Sequence, residues 1–259
     1  MFIWKVKSQI INKLLTIRRN FLTFITPEFF WPKTVVIDDV RIKVRGEPYS
    51  FGIKLVLKRG EYEGLERKLL KSYDLTGETI IEMGGSIGIL TAVLSKKVGN
   101  KGHVISVEAS KKISSYSRFW LEKDQNTKVV TGFGFPVSNT AGIVDIVNFD
   151  ESGNTLQGKL IYNLNPKREI HNNLIFDIQK IVNLFKIQPT ILVADIEGSE
   201  KIITDIRPDF PSTIKIILIE LHPFLYGKNI SDQIINRIIK EGFFIQVSEG
   251  NVYLFERSG

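Results

Sequence analysis

Apolar residues at Ile10, Ile11, Leu14, Leu15, Ile17, Phe21, Leu22 and Ile25 recur at helical spacing, with cations between them, and predict an amphipathic helix. From Pro32 the period shortens to alternation. Residues 34–37 and 40–44 flank Asp38-Asp39 as a predicted hairpin, and residues 53–57 read as a further short strand. Residues 61–73 return to helical spacing through Leu65, Leu69 and Leu70. Residues 1–74 are therefore expected to form an N-terminal amphipathic helix and a small β/α cap.

Beyond residue 75 short apolar runs alternate with amphipathic stretches, the signature of a parallel sheet covered on both faces. Strands are predicted at 79–83, 103–108, 128–132, 190–195 and 214–221, and helices at 88–98, 112–123, 197–206 and 231–241. The last two strands, 243–248 and 252–256, are separated only by Glu249-Gly250-Asn251, so they must pair antiparallel. The expected architecture over 75–259 is a mostly parallel, seven-stranded Rossmann-like α/β sheet with a C-terminal antiparallel hairpin and helices on both faces. Residues 142–186 break the rhythm and hold two strand-like runs, 143–149 and 159–164. They read as an insertion over the carboxyl ends of the strands, where such sheets bind ligands, and hence as part of an acceptor pocket.

Composition changes this picture in two places. The chain of 259 residues has no cysteine, which removes disulfides, thiolate metal sites and a cysteine nucleophile, and it suits a reducing cytoplasm. Its net charge of +7 is concentrated at the start, where Lys5, Lys7, Lys13, Arg18, Arg19 and Lys33 are answered only by Glu28 before Asp38. No apolar run approaches the roughly 20 residues that span a bilayer. The first thirty residues either lie on an anionic membrane surface or pack on protein, the commoner fate of an amphipathic helix.

Candidate chemistry gathers at the ends of the predicted strands. Glu82-Met83-Gly84-Gly85-Ser86-Ile87-Gly88 closes the first strand of the sheet and opens a helix, placing glycines where a backbone turns sharply beside a ligand. A dinucleotide fingerprint needs a glycine at Ser86, and an acid at Glu82 is unwelcome beside a pyrophosphate. S-adenosylmethionine, with a sulfonium, an ammonium and no phosphate, suits an acidic strand end. A nicotinamide oxidoreductase is the less favoured alternative. Glu108, followed by Ala109, ends the second strand twenty positions after Gly88, where a carboxylate accepts from ribose hydroxyls.

Asp195-Ile196-Glu197-Gly198-Ser199-Glu200 puts three carboxylates at the end of the fourth strand and in the turn after it. Glu197 and Glu200 also fit as plain helix N-terminal acids. Asp195 suits binding of the methionine ammonium, metal ligation or proton acceptance. Alternation sets Glu220 and His222 on one face, and with Asp195 they make an oxygen, oxygen, nitrogen set able to hold a divalent ion such as Mg2+. His222 is the candidate general base, or else a hydrogen-bonded strand-end histidine without catalytic duty.

On these residues the chain resembles the FkbM-type family of S-adenosylmethionine-dependent methyltransferases. The resemblance runs from Gly60-Glu61-Tyr62-Glu63 through the 82–88 loop, Val107-Glu108-Ala109 and Val137-Ser138-Asn139 to Asp195-Ile196-Glu197-Gly198-Ser199-Glu200 and Ile219-Glu220-Leu221-His222-Pro223. Family members usually carry aspartate at the position of Glu82 and alanine-asparagine at Gly85-Ser86. The resemblance implies a class I methyltransferase fold and O-methylation of a small-molecule or glycan hydroxyl, sugars favoured. Its implied cofactor residues are Glu82, Gly84, Gly85, Ser86, Gly88, Glu108, Ala109 and Asp195, and its implied catalytic residues Asp195 and His222. The Asn/Asp-Pro-Pro-aromatic signature of nucleobase amine methylation is missing, which disfavours an exocyclic amine target; nucleic acid is not the expected partner, with an RNA ribose hydroxyl left open as a minor alternative by the basic charge. A membrane-attached binding module that kept the fold without catalysis is the alternative from another class.

Overall fold

The computed structural model describes residues 27–47, 49–110, 113–115, 117, 121, 127–131, 133–134, 148–150, 159–161, 175–176, 178–205 and 210–258. The helix predicted before residue 27 and most of the 142–186 insertion lie outside these residues. The chain forms two compact units, Met1–Gly64 and Leu65–Gly259.

In the first unit β1 (Thr34–Ile37) and β2 (Val40–Lys43) pair antiparallel as expected. Asp38 and Asp39 take φ of 44° and 62°, the left-handed pair that matches a hairpin to strand twist. Residues 53–57 depart from expectation, being helical within α1 (Phe51–Arg59). Ser50 caps the helix by accepting from the Ile53 amide at 3.4 Å, and Gly60 ends it at φ 71°. The buried Lys54 ammonium pairs with Glu28.

The second unit holds the sheet. Its strands are β3 (Thr79–Met83), β4 (His103–Glu108), β5 (Thr127–Thr131), β10 (Ile191–Ala194), β11 (Ile216–Glu220), β12 (Phe243–Glu249) and β13 (Val252–Arg257). Between β5 and β10 come the short strands β6 (Phe133–Gly134), β7 (Asn148–Asp150), β8 (Lys159–Ile161) and β9 (Ile175–Phe176), in two separate two-stranded pairs. The spatial order is β12-β13-β11-β10-β3-β4-β5, with only β13 antiparallel to its neighbours. This is the Rossmann-like methyltransferase architecture anticipated from the sequence. Strand order reverses between β3 and β10, which opens the crevice at their carboxyl ends to a ligand.

Central strands read as unbroken apolar runs because helices cover both faces; all four residues of β10 are buried. Alternation then divides the core. Ile81, Met83, Ile105, Val107, Leu192, Ala194, Ile217 and Ile219 face one cluster. Ile80, Val104, Ile191, Val193 and Leu218 face the other, with Leu90 and Leu94 from α3 (Ile89–Val98). Leu69 and Leu70, in and just after α2 (Gly64–Leu69), belong to that second cluster, so the stretch assigned by spacing to the cap packs with the sheet. By the same alternation Glu82, Ser106, Glu108 and Glu220 stand on this second face.

One helix lies inside the expected insertion. α4 (Ile178–Phe185) packs Ile178, Ile181, Val182 and Phe185 on the first core cluster and serves as the crossover into β10. After β10 a single 3-10 turn, Ser199–Lys201, leads into α5 (Ile202–Asp205). After β11 come α6 (Pro223–Tyr226) and α7 (Lys228–Lys240). Among the described residues no helix is long and apolar enough to cross a membrane.

Candidate active site at the carboxyl ends of the strands

The glycine loop is shaped by contacts that leave no room for side chains. Gly84, at φ 89°, lies so close to β10 that an added Cβ would stand 1.6 Å from the Asp195 carbonyl oxygen. Its amide and that of Gly85 donate to the Val107 carbonyl at 2.8 and 3.2 Å, and the Asp195 amide donates to the Met83 carbonyl at 2.9 Å. Ser86 takes φ 47°, and Gly88 at φ 83° precedes α3. Glu108, buried, accepts from the Ser86 amide at 2.8 Å and the Ser110 amide at 2.7 Å. Loop, Glu108 and the Asp195 backbone thus form one hydrogen-bonded unit at the strand-order reversal. Ala109, next to Glu108, is partly buried.

Glu82, expected beside the cofactor, is deeply buried. Its carboxylate lies beneath the loop, 2% exposed, and accepts from the Thr91 hydroxyl and from Ser106. Burial raises its pKa against the lowering effect of those two hydroxyls. Glu82 therefore packs against the loop at Gly85. Ser106 and Thr91 escaped the sequence reading, since neither belongs to the loop motif.

Gly85 is tied to the same group, because a Cβ there would meet the Ser106 hydroxyl at 1.9 Å and Glu82 Oε2 at 3.1 Å. The alanine usual in the resembled family has no room beside Ser106. Gly85→Ala is expected to cost about 1–3 kcal/mol, and Ser106→Ala in the same chain to recover a good part of it. Thermal unfolding of the two single variants and the double variant checks this; strictly additive effects would contradict it.

The second group surrounds His222, which is buried just after β11. Its Nδ1 stands 3.1 Å from Glu200 Oε1, and its Nε2 stands 3.4 Å from Glu197 Oε2 and 3.5 Å from Asp195 Oδ1. The His222 amide donates to the Tyr226 hydroxyl at 2.7 Å. The turn that presents these acids needs left-handed backbone at Glu197 (φ 50°) and Gly198 (φ 97°). A Cβ at Gly198 would press on Leu225 Cδ1 at 2.8 Å, so glycine lets this turn close on α6.

Glu200 carries more than the helix-end role open to it in the sequence. It is fully buried, and its Oε1 also accepts from the amides of Ile196 at 3.1 Å and Gly198 at 3.2 Å. Asp195, His222 and Glu200 offer ligand atoms within 4.8 Å of one another, so Glu200 takes the place expected of Glu220 in that trio. Glu220 instead meets Glu66 of α2 by a side-chain hydrogen bond. α2, which packs Leu69 on the second core face, brings Glu66 to it.

Burial and crowding set the protonation of the cluster. Asp195 is held well above the ordinary carboxyl range by burial and by repulsion from Glu220 and Glu197, opposed by His222. Glu220 rises to about 7 through burial and its proximity to Glu66. Burial pulls His222 down, but Glu200, Asp195 and Glu197 outweigh it and lift the ring to about 9. The three acids thus favour the charged imidazole over the neutral one.

All three folded-state values exceed the unfolded ones, so the native protein holds more protons and loses stability as pH rises. The carboxyl part is fully present below about pH 4 and is lost by about pH 7 for Glu220; the His222 part is present below about pH 6.5 and lost through about 9. In chelator-treated protein, Tm by calorimetry is expected to fall by several degrees between pH 5 and 9. A Tm that climbs over that interval would contradict the assignment.

Comparison with known proteins bears chiefly on the cofactor half. The family model described as protein-L-isoaspartate (D-aspartate) O-methyltransferase matches residues 64–137, which hold the glycine loop, Glu108 and strands β3 to β5. Protein-L-isoaspartate O-methyltransferase of Thermotoga maritima is 26% identical over 237 residues, covering 81% of this chain and 71% of the relative. Among solved structures, Aeropyrum pernix fibrillarin with natively bound S-adenosyl-L-methionine overlays with TM-score 0.45 at 11% identity, covering 75% of this chain and 73% of fibrillarin. A putative rRNA methylase of Clostridium thermocellum gives 0.47 at 10% identity, over 74% of this chain and 94% of its own. The matching family model is not the one that the strand-end motifs resemble. Sheet order, glycine loop and sequence matches agree on the class: the protein is an S-adenosylmethionine-dependent methyltransferase of the class I fold.

Proposed function

We propose that the protein transfers the methyl group of S-adenosylmethionine to a hydroxyl oxygen of a small molecule or glycan, with a sugar hydroxyl favoured. The observation that carries this reading is the acidic ring of Asp195, Glu197, Glu200 and Glu220 around His222, joined to the cofactor loop where Gly84 touches Asp195. An acceptor that is itself a carboxylate, as for the isoaspartate enzymes, would enter this ring against net negative charge. A neutral hydroxyl would not. The isoaspartate family model ends at residue 137, before any residue of the ring, so it supports the cofactor assignment more than the acceptor. The motif resemblance to FkbM-type enzymes supports a sugar.

In this reading the loop and Glu108 hold the adenosyl half of the cofactor, and Asp195 faces its methionine half. Rate comes mainly from aligning methyl and oxygen. The hydroxyl oxygen forms its bond to the methyl carbon as the carbon–sulfur bond breaks, with the electron pair going to sulfur. The hydroxyl proton passes to the carboxylate cluster, where burial and repulsion make Asp195 a stronger base than an exposed aspartate.

Labelled-methyl transfer to a panel of mono- and oligosaccharides and to an isoaspartyl peptide tests the acceptor class. The expected product is a methyl ether, stable to mild alkali. Label released as methanol from the peptide alone would reverse the assignment towards a carboxyl acceptor.

A further inference from the structure

We propose that His222 and Asp195, completed by Glu197, form a divalent transition-metal site that anchors the acceptor, with Glu200 as the positioning residue behind the imidazole. The proposal rests on the methyltransferase reading for its purpose but on separate observations for its existence.

The spacing is the first of these. Nε2 stands 3.4 Å from Glu197 Oε2 and 3.5 Å from Asp195 Oδ1. Charge-assisted hydrogen bonds close to about 2.7–2.9 Å, so both approaches are too long for a settled N–H to carboxylate bond. Two ligands at about 2.1 Å from one ion in tetrahedral array stand roughly 3.4 Å apart. The two separations from Nε2 are each those of a co-ligand pair.

Unused buried oxygen is the second. Asp195 Oδ1 is buried without a hydrogen-bond partner. Native proteins rarely leave such atoms unpaired unless an ion or water completes them.

Orientation is the third. Glu200 Oε1 sits 3.1 Å from Nδ1, while its carboxylate is fixed by the Ile196 and Gly198 amides. A carboxylate behind one ring nitrogen directs the other nitrogen's lone pair outward and raises its basicity, the usual arrangement behind a metal-bound histidine. Here Nε2 is directed at Asp195 and Glu197.

The donor set indicates the ion. One imidazole with two carboxylates, and no cysteine in the chain, favours a transition ion of the Zn2+ or Mn2+ kind over Mg2+. Such an ion would bind adjacent hydroxyls of an acceptor. Asp195 would hold it through Oδ1, leaving Oδ2 to receive a proton.

Co2+ is the probe, since it takes the same donors and reports binding through its visible absorption. Whole protein, stripped with chelator, is titrated with Co2+ in the presence of S-adenosylhomocysteine, whose own binding is measured separately. One Co2+ per chain is expected, bound more tightly than Mg2+. Affinity should fall at least about 100-fold in the isosteric Asp195→Asn variant and about 10–100-fold in Glu200→Gln, where the ligands remain. His222→Gln risks misfolding because the ring is buried, so Asp195→Asn and Glu197→Gln carry the test, with circular dichroism confirming their fold. Protein that binds S-adenosylhomocysteine but gives no Co2+ absorption, or binds Co2+ equally in Asp195→Asn, overturns the site. Co2+ binding without S-adenosylhomocysteine binding would keep the site and overturn the cofactor reading instead.

Discussion

Gly84→Ala is expected to abolish measurable S-adenosylhomocysteine binding and to lower Tm by roughly 10 °C or more. Two independent penalties combine. Left-handed backbone at φ 89° is costly for any residue with a Cβ, about 1–2 kcal/mol. The Cβ would also stand 1.6 Å from the Asp195 carbonyl oxygen, and backbone cannot swing aside as a flexible side-chain end can. Relief requires β3 and β10 to part at their carboxyl ends, which breaks the Asp195 amide bond to Met83 and carries the loop away from Glu108. A total cost of about 3–5 kcal/mol follows, in the range reserved for severe steric lesions. Calorimetry with ligand titration reads both effects; wild-type Tm and affinity would show that the strand ends do not meet so tightly.

Asp195→Asn should separate activity from stability. The carboxylate is half-buried, repelled by Glu220 and Glu197, and left with a buried oxygen that accepts no hydrogen bond. An amide of the same size removes the repulsion, so Tm should be unchanged or slightly higher, although the attraction to His222 is also lost. Methyl transfer should fall by about 100- to 1,000-fold, because the amide neither accepts the proton nor serves as an anionic ligand. Functional sites characteristically retain such unfavourable groups at the expense of stability. Single-turnover methyl transfer beside calorimetry checks the pair of effects. A rate loss that merely tracked a fall in folded fraction would make Asp195 structural.

The sheet was legible because its central strands are covered on both faces. Runs such as Thr79–Met83 and His103–Glu108 are continuous in sequence and match the observed strands residue for residue. The terminal hairpin was legible because three residues between two strands permit only one geometry. Periodicity failed where short runs are ambiguous: Ile53-Lys54-Leu55-Val56-Leu57 alternates enough for a strand, and the deciding signals, Ser50 as cap and Gly60 as stop, lie outside it. The helix Ile178–Phe185 was hidden because a long irregular stretch precedes it, although Ile178, Ile181, Val182 and Phe185 carry the helical period.

At the site, the residues singled out from sequence, the glycine loop, Glu108, Asp195 and His222, come together at the strand ends, whereas several of the groups around them were not legible. Glu200 was ambiguous because a buried ligand-orienting acid and a solvated helix-end acid look alike in one dimension. Glu66 lies far from Glu220 along the chain and meets it only because α2 packs on the second face of the sheet. Glu82 was assigned to the cofactor by charge, whereas its placement is decided by Thr91 and Ser106, which share its face.

Cofactor recognition at the Gly84–Gly88 loop and Glu108 is the claim on which the rest depends, and titration calorimetry of S-adenosylmethionine and S-adenosylhomocysteine into wild type and Glu108→Ala tests it most directly. Micromolar-range binding, about −8 kcal/mol, is expected for wild type and should be lost in a variant that still unfolds cooperatively. Folded wild-type protein that binds neither compound would contradict the account.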